Sequence, residues 1–522
     1  MNKQDWIKHF PYTDTRPSQE TSINFALEQF KRKKFVIIEA PTGSGKSAIG
    51  ITVAKMIGSS YIVTTQKILQ MQYTKDYPWL ANLWSKTNYK CKARPNLSCD
   101  TGLMINKSTG FSPCKCHYKE DKEKYLRESI SLTNLPYFLN VVEHFPMFSK
   151  RDLLIIDEAH NLDDQLTNFV SLEIHRGEME QHDILWPKKN LDLLSIKNWI
   201  SKDVLPILER KIETKKNIMS EKKAKFGASF ASTPEGQTLL KQIDFGNKLV
   251  TNITRFIYNS ANLNEWVMTR SYQDDEILIR PIYSSKFAEQ CLYRSANKVL
   301  LMSGTILDKN TYCKNVGIPI DNVAFISLDS EFHKDNRPVM ITNVASMSYK
   351  NIDKSLPTMV KAIKGIINDP QHKDVKGIIH TSSFKVANYI KENLKDKRLL
   401  FHTSEDKIEI YKQHILSDSP TILVSPSMGE GVDLLDDLSR FQIIVKIPFA
   451  SLGDEYVKTK MTRVKGWYDW LTVKSIIQSS GRSVRDKNDW SITYILDSDW
   501  SYFYYRTSKF FPKWYKESII KL

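Results

Sequence analysis

Phe35-Val36-Ile37-Ile38-Glu39-Ala40-Pro41-Thr42-Gly43-Ser44-Gly45-Lys46-Ser47 decides how this chain is read. An apolar, β-branched run leads into a glycine-rich loop. Ala48-Ile49-Gly50-Ile51-Thr52-Val53-Ala54 follows and can open a helix. Strand, glycine loop and helix in that order make a cradle for phosphate. Backbone N–H groups wrap the anion and the helix N-terminus adds the positive end of its dipole. Lys46 can reach the β- and γ-phosphates of a nucleotide, and the Ser47 hydroxyl can bind Mg²⁺. The stretch Pro41 to Ser47 is therefore read as a nucleotide-binding loop, with hydrolysis as the expected outcome.

Working outward, Ser60-Tyr61-Ile62-Val63-Thr64-Thr65 and Leu153-Leu154-Ile155-Ile156 are short apolar runs that fit buried strands of a parallel sheet. Lys67 to Tyr73 reads as helical. Asp157-Glu158-Ala159-His160 follows the second of these strands directly. Carboxylates at the C-terminal end of a parallel strand face the crevice where ligands bind. Asp157 can hold Mg²⁺ there, and Glu158 can orient and deprotonate an attacking water. Far downstream, Gln478-Ser479-Ser480-Gly481-Arg482-Ser483-Val484-Arg485 places two arginines three apart, on one helix face. Arg482 and Arg485 suit charge developing on a γ-phosphate, reached across a domain cleft; surface salt bridging is the bland alternative.

The chain has 522 residues, which calls for two or more domains. Its formal net charge is +16, which favours a polyanionic partner such as nucleic acid, although a solvated basic surface would give the same number. No apolar stretch reaches the length of a membrane span, and Met1 to Phe10 lacks the pattern of a signal peptide. A reducing compartment is expected, so the six cysteines are not read as a disulfide framework. Cys91, Cys99, Cys114 and Cys116 crowd into one polar window, whereas Cys291 and Cys313 read as buried apolar residues. Four thiolates can hold a [4Fe–4S] cluster; tetrahedral zinc is the chemical rival, and unligated thiols remain open. From about 165 to 285 the texture turns helical and rich in Lys and Glu, with a break over Gly227 to Gly236. Strand character returns at Val299 to Met302. It continues at Val339 to Thr342, Gly377 to His380, Ile422 to Val424 and Gln442 to Lys446. The aromatic runs Trp467 to Trp470 and Trp500 to Arg506 read as core rather than as stacking platforms for bases.

The order of motifs resembles that of superfamily-two helicases, and more narrowly the XPD/DinG branch, over nearly the whole chain. The nucleotide loop, Asp157 to His160, Ser303-Gly304-Thr305 and the Gln478 to Arg485 run carry the likeness. Arg16-Pro17-Ser18-Gln19 resembles the upstream motif that contacts adenine, and Thr64-Thr65-Gln66 the motif that touches the DNA backbone. Thr133-Asn134 and Gly429-Glu430-Gly431-Val432-Asp433 also match the branch, as do Ile447-Pro448-Phe449, Asp497 and Phe511-Pro512. The cysteine window and the helical stretch fall where that branch carries an iron–sulfur insertion and a helical Arch. His117 replaces the proline of the branch's Cys-Pro-Tyr run, and the Cys114-x-Cys116 spacing is tighter than its pattern.

The resemblance implies an α/β fold of two RecA-like domains with both insertions in the first. Residues 1–80, 126–164 and 286–336 would form domain one, 81–125 the cluster insertion, 165–285 the Arch and 337–522 domain two. It implies ATP and Mg²⁺ in the cleft, with Ser47 and Asp157 on the metal. Catalytic roles fall to Lys46, Asp157, Glu158, Gln478, Arg482 and Arg485, with Arg16, Gln19, Gly431 and Asp433 near the nucleotide. It further implies a monomer that moves 5′-to-3′ on single-stranded DNA and opens forked or tailed duplexes in repair, recombination or replication. Its place would be the cytoplasm of a bacterial, archaeal or virus-infected cell, or the nucleus if the source is eukaryotic. An RNA helicase is one rival, because Asp-Glu-Ala-His also occurs in RNA enzymes. A nucleotide-dependent binding module is another; its motifs should be degraded, and these are intact.

Overall fold

The computed structural model describes residues 3–41, 43–110, 116–144, 148–426, 436–480, 484 and 489–521. Two seven-stranded sheets, every pairing parallel, organise the chain. The first runs in the order Val323–Ser327, Phe35–Glu39, Ala296–Ser303, Arg151–Asp157, Ser60–Thr64, Ile130–Asn134 and Ala81–Asn82. Phe35–Glu39 is buried along its length, as a parallel strand covered by helices on both faces requires. Its register sets Glu39 beside Ser303 and Ser327, while Asp157 lies beside Met302 and Thr64. The C-terminal ends of adjacent strands therefore converge on one crevice, where ligands of open α/β sheets bind.

The second sheet runs Leu399–Phe401, Ile422–Ser425, Gly377–His380, Phe441–Ile444, Ile492–Asp497, Val339–Ala345 and Ile519–Lys521. Helix Trp467–Ser480 carries it against the first domain: the Trp470 indole Nε1 donates to the Ile306 carbonyl at 2.8 Å. Trp467, Trp470, Trp500 and Phe503 are buried, so these aromatic runs are core, whereas Tyr502 and Tyr505 stand exposed.

The stretch between the acidic motif and Ser303 is helical, with Leu205–Phe226 and Pro234–Asn259 as its long helices. It also holds a three-stranded antiparallel sheet, Leu172–His175, Glu276–Pro281 and Trp266–Arg270, that the helical reading missed. Glu276–Pro281 alternates between half-buried and buried positions in the fold, but its residues Glu-Ile-Leu-Ile-Arg-Pro do not alternate polar with apolar. That span is too short to stand out from a helical background. The break after Phe226 is narrower than expected, because the second long helix already begins at Pro234, with the Thr233 side chain capping Gly236 N. Strand Ala81–Asn82, read as part of the cysteine window, is the edge of the first sheet.

Candidate active site at the inter-domain cleft

A cleft of about 420 Å³ lies between the two parallel-sheet domains. Pro41, Gly43, Gly45, Lys46, Ser47, Asp157, Glu158, His160, Gly304 and Thr305 line one wall; Arg337, Gln478, Ser480, Trp514 and Tyr515 line the other. Gly43 and Gly45 take φ of 81° and 75°, a left-handed backbone that glycine adopts without strain. Gly45 has a second reason to lack a side chain, since a Cβ there would sit 2.2 Å from Gln19 Nε2. That amide donates to the Ser44 carbonyl at 3.2 Å, and the Arg16 guanidinium donates to the Gly43 carbonyl. Arg16 and Gln19 therefore brace the glycine loop from behind. Helix Lys46–Ile57 then starts with Lys46 and Ser47 at the open end of its dipole. The Lys46 ammonium donates to the Ala40 carbonyl at 3.3 Å.

Asp157 is buried, and its two oxygens accept from the Tyr73 hydroxyl and the Glu158 backbone N–H, each at 2.9 Å. Burial, with the neighbouring Glu158 carboxylate, pushes its carboxyl up to about 6; Lys46 and the two hydrogen bonds oppose that rise. A divalent cation at this carboxylate would favour the charged form. Glu158 takes φ of 51°, which turns its side chain out of the strand line. Its carboxylate lies 3.2 Å from His160 Nδ1, and the same nitrogen is 2.8 Å from Ser303 Oγ. Ser303 Oγ accepts from the Thr305 backbone N–H at 3.1 Å, and the Gln478 amide reaches Thr305 Oγ1 at 3.4 Å. The acidic motif, the Ser-Gly-Thr turn and the second domain thus share one chain of polar contacts.

Thr42, Gly431, Asp433, Arg482 and Arg485 lie outside the described residues. Glu39 was not singled out in the sequence. Its buried carboxylate accepts from Ser327 Oγ at 2.7 Å and from the Leu307 backbone N–H, tying the loop's strand to the turn beyond Thr305. Thr64 and Thr65 are buried, while Gln66 lines the cleft. Asn134 joins the Gln70 side chain at 3.1 Å. Asp497 accepts from Met347 N and Ile447 N at 3.0 and 3.1 Å, pinning two loop starts of the second domain.

Cys91, Cys99 and Cys116 are buried, with Cys99 neighbouring both of the others, and Cys114 lies outside the described residues. Burial and the hydrogen-bonded Cys116 thiol, with Cys91 adding a smaller push, raise the Cys99 thiol to about 12. A bound cation would reverse that shift. Gly102 leaves the space these thiols occupy, for a Cβ there would lie 2.3 Å from Cys91 Sγ. The thiol donors and the glycine cradle fit a thiolate-held group. Among the described residues, the set of metal-ligating atoms all within 4.8 Å of one another is Glu173, His175 and Glu276, not these cysteines. Helix Cys99–Thr109 rests against Ala228–Ser232 and Pro234–Asn259 of the helical insertion. No helix among the described residues is long and apolar enough to cross a membrane.

Two family models match the chain: the type III restriction enzyme res subunit over residues 12–182 and the helicase C-terminal domain over residues 372–518. A probable ATP-dependent helicase of Methanocaldococcus jannaschii is 22% identical, with 96% of this chain and 94% of that one aligned. The ATP-dependent DNA helicase CHL1 of Saccharomyces cerevisiae is 22% identical over 66% of this chain, and DinG of Photobacterium profundum 26% identical over 45%. The chain spans only 43% and 37% of those two relatives. Among solved structures, an XPD helicase superposes with a TM-score of 0.63 at 15% identity, covering 98% of this chain and 100% of the other. A second XPD structure, of the apo form, gives 0.61 at 16% identity, covering 97% and 100%. These likenesses speak to the fold.

Proposed function

The chain is a superfamily-two helicase of the XPD/DinG/CHL1-like family, and from that premise we propose that it couples ATP hydrolysis to 5′-to-3′ movement on single-stranded DNA. Forked or tailed duplexes are its substrates, and repair, recombination or replication its setting. The observation that carries the reading is the cleft itself: a glycine loop and two carboxylates on one wall face Gln478 on the other.

Lys46 binds the β- and γ-phosphates, and Ser47 and Asp157 hold the Mg²⁺ that arrives with ATP. Glu158 orients and deprotonates the water that attacks the γ-phosphorus. The bond to the β-phosphate oxygen breaks, and ADP and phosphate leave. Arg482 and Arg485 would meet the developing charge from the second domain, with Gly431 and Asp433 near the nucleotide. The contacts from Glu158 through His160, Ser303 and Thr305 to Gln478 suit passing cleft closure from one domain to the other.

Cys91, Cys99 and Cys116, with Cys114, would hold a [4Fe–4S] cluster, which when bound supplies a redox-capable tie between separate segments. Zinc held by the same thiolates is the chemical rival. Burial first, and then repulsion among Lys86, Lys107 and Lys122, lowers the Lys86 and Lys122 ammonium groups. A basic patch where the cysteine module meets the helical insertion suits a phosphate backbone.

The test is ATPase stimulation by DNA and RNA oligonucleotides of one sequence, beside unwinding of 5′- and 3′-tailed duplexes. DNA-selective stimulation and opening of the 5′-tailed duplex are expected, with near-total loss in Lys46→Ala. Equal stimulation by RNA would move the assignment to an RNA helicase. Hydrolysis without strand separation would leave a nucleotide-driven binding module.

A further inference from the structure

Helix Lys67–Asp76 places a tyrosine hydroxyl against one of the two side chains assigned to Mg²⁺. Tyr73 is buried, and its hydroxyl donates to Asp157 Oδ2 at 2.9 Å. Tyr77, one turn later, sets its ring 5.9 Å from that of Tyr73 at a tilt of 49°, and its hydroxyl lies 3.4 Å, oxygen to oxygen, from that of Tyr12. A carboxylate that accepts one hydrogen bond at each oxygen keeps a further lone pair on each for a metal-bound water. We propose that Tyr73 is a positioning residue that orients Asp157 for Mg²⁺–ATP. Its assignment rests on the nucleotide-site reading above.

The contact needs a hydroxyl. Packing alone would be served by phenylalanine, and Tyr73 lies where an unpaired hydroxyl would be costly. Tyr73→Phe keeps the ring and removes only the hydrogen bond; Tyr77→Phe, whose hydroxyl faces Tyr12, is the control.

The experiment measures binding of a fluorescent ATP analogue to wild type, Tyr73→Phe and the control Tyr77→Phe, each in Mg²⁺ and in EDTA, with a thermal melt of each. The expected result is a loss of about tenfold in the Mg²⁺-dependent gain in affinity for Tyr73→Phe, the size of one hydrogen bond to a charged group, with the control at the wild-type value. Affinity in EDTA should match wild type in both variants. Wild-type Mg²⁺ dependence in Tyr73→Phe would overturn the assignment. An equal loss in Mg²⁺ and EDTA would do so too, because it would mean packing. The gain is a ratio within one protein, so a partly unfolded population of Tyr73→Phe cancels from it. Wild type that binds the analogue in neither buffer would instead overturn the nucleotide site beneath this inference.

Discussion

Asp157 is a buried carboxylate whose charge its surroundings disfavour. Its carboxyl, pushed to about 6 by burial and by Glu158, stands above an ordinary value of 3.8. Between those two values the folded chain holds the proton that the unfolded chain has lost. The stability this group adds is therefore full below about 3.8 and lost as pH rises through about 6. Asp157→Asn removes that dependence. Relative to wild type without nucleotide, the variant should gain about 2–3 kcal/mol of stability between pH 4 and pH 7.5. Urea melts at the two pH values check this, and parallel curves would contradict it. The gain would accompany lost hydrolysis, as at functional sites that hold strained or poorly solvated groups. The acidic pair was plain in the sequence, because a carboxylate dyad directly after an apolar run is a local pattern. Tyr73, Glu39 and the Ser303 contact of His160 were not, since each acts on a partner distant in the chain: 84 residues separate Tyr73 from Asp157.

At the scale of the element, helix Cys99–Thr109 shows why one glycine matters. Gly102 is a helical position where any side chain would meet Cys91 Sγ at 2.3 Å. Glycine costs a helix about 1 kcal/mol relative to alanine, so Gly102→Ala would help the isolated helix. In the folded module the thiol must move instead. The expected outcome is lower iron and acid-labile sulfide in protein purified without oxygen, with unchanged far-ultraviolet circular dichroism. Full iron loading in the variant would show that Cys91 has room to shift. The four cysteines stood out in the sequence by crowding alone. Which of them converge depended on a hairpin, Lys90–Cys91 with Arg94–Ser98, and on the N-cap of helix His117–Arg127.

For the whole molecule, the second domain is docked by more than the nucleotide cleft. Lys460 on helix Glu455–Arg463 reaches Asp163 at 2.8 Å, and both side chains are buried. Asp163 follows the acidic motif by a few residues and also accepts from Ser284 Oγ at 2.6 Å. Burial by itself would lower the Lys460 ammonium, but the Asp163 carboxylate outweighs it and holds the lysine charged. Nearby, Arg280 at the root of the helical insertion pairs with Asp454 through both oxygens, at 2.8 and 3.0 Å. Removing one partner of a buried pair strands the other. Lys460→Met should cost about 3–5 kcal/mol, and Lys460→Met with Asp163→Leu much less. Thermal unfolding of the two variants measures the difference; equal losses would mean that the pair does not couple.

Local chemistry was enough to read two parallel α/β units, the nucleotide loop, the acidic motif and the cysteine window from the chain. Hydrophobic runs, glycine spacing and charge are properties of neighbours in sequence. The antiparallel sheet within the helical insertion, the brace of Arg16 and Gln19 behind the loop, the Tyr73–Asp157 contact and the Lys460–Asp163 dock were decided by the tertiary structure. Each is a contact between segments whose separation leaves no periodic trace, and each exists only once burial makes an unpaired polar group too costly to leave.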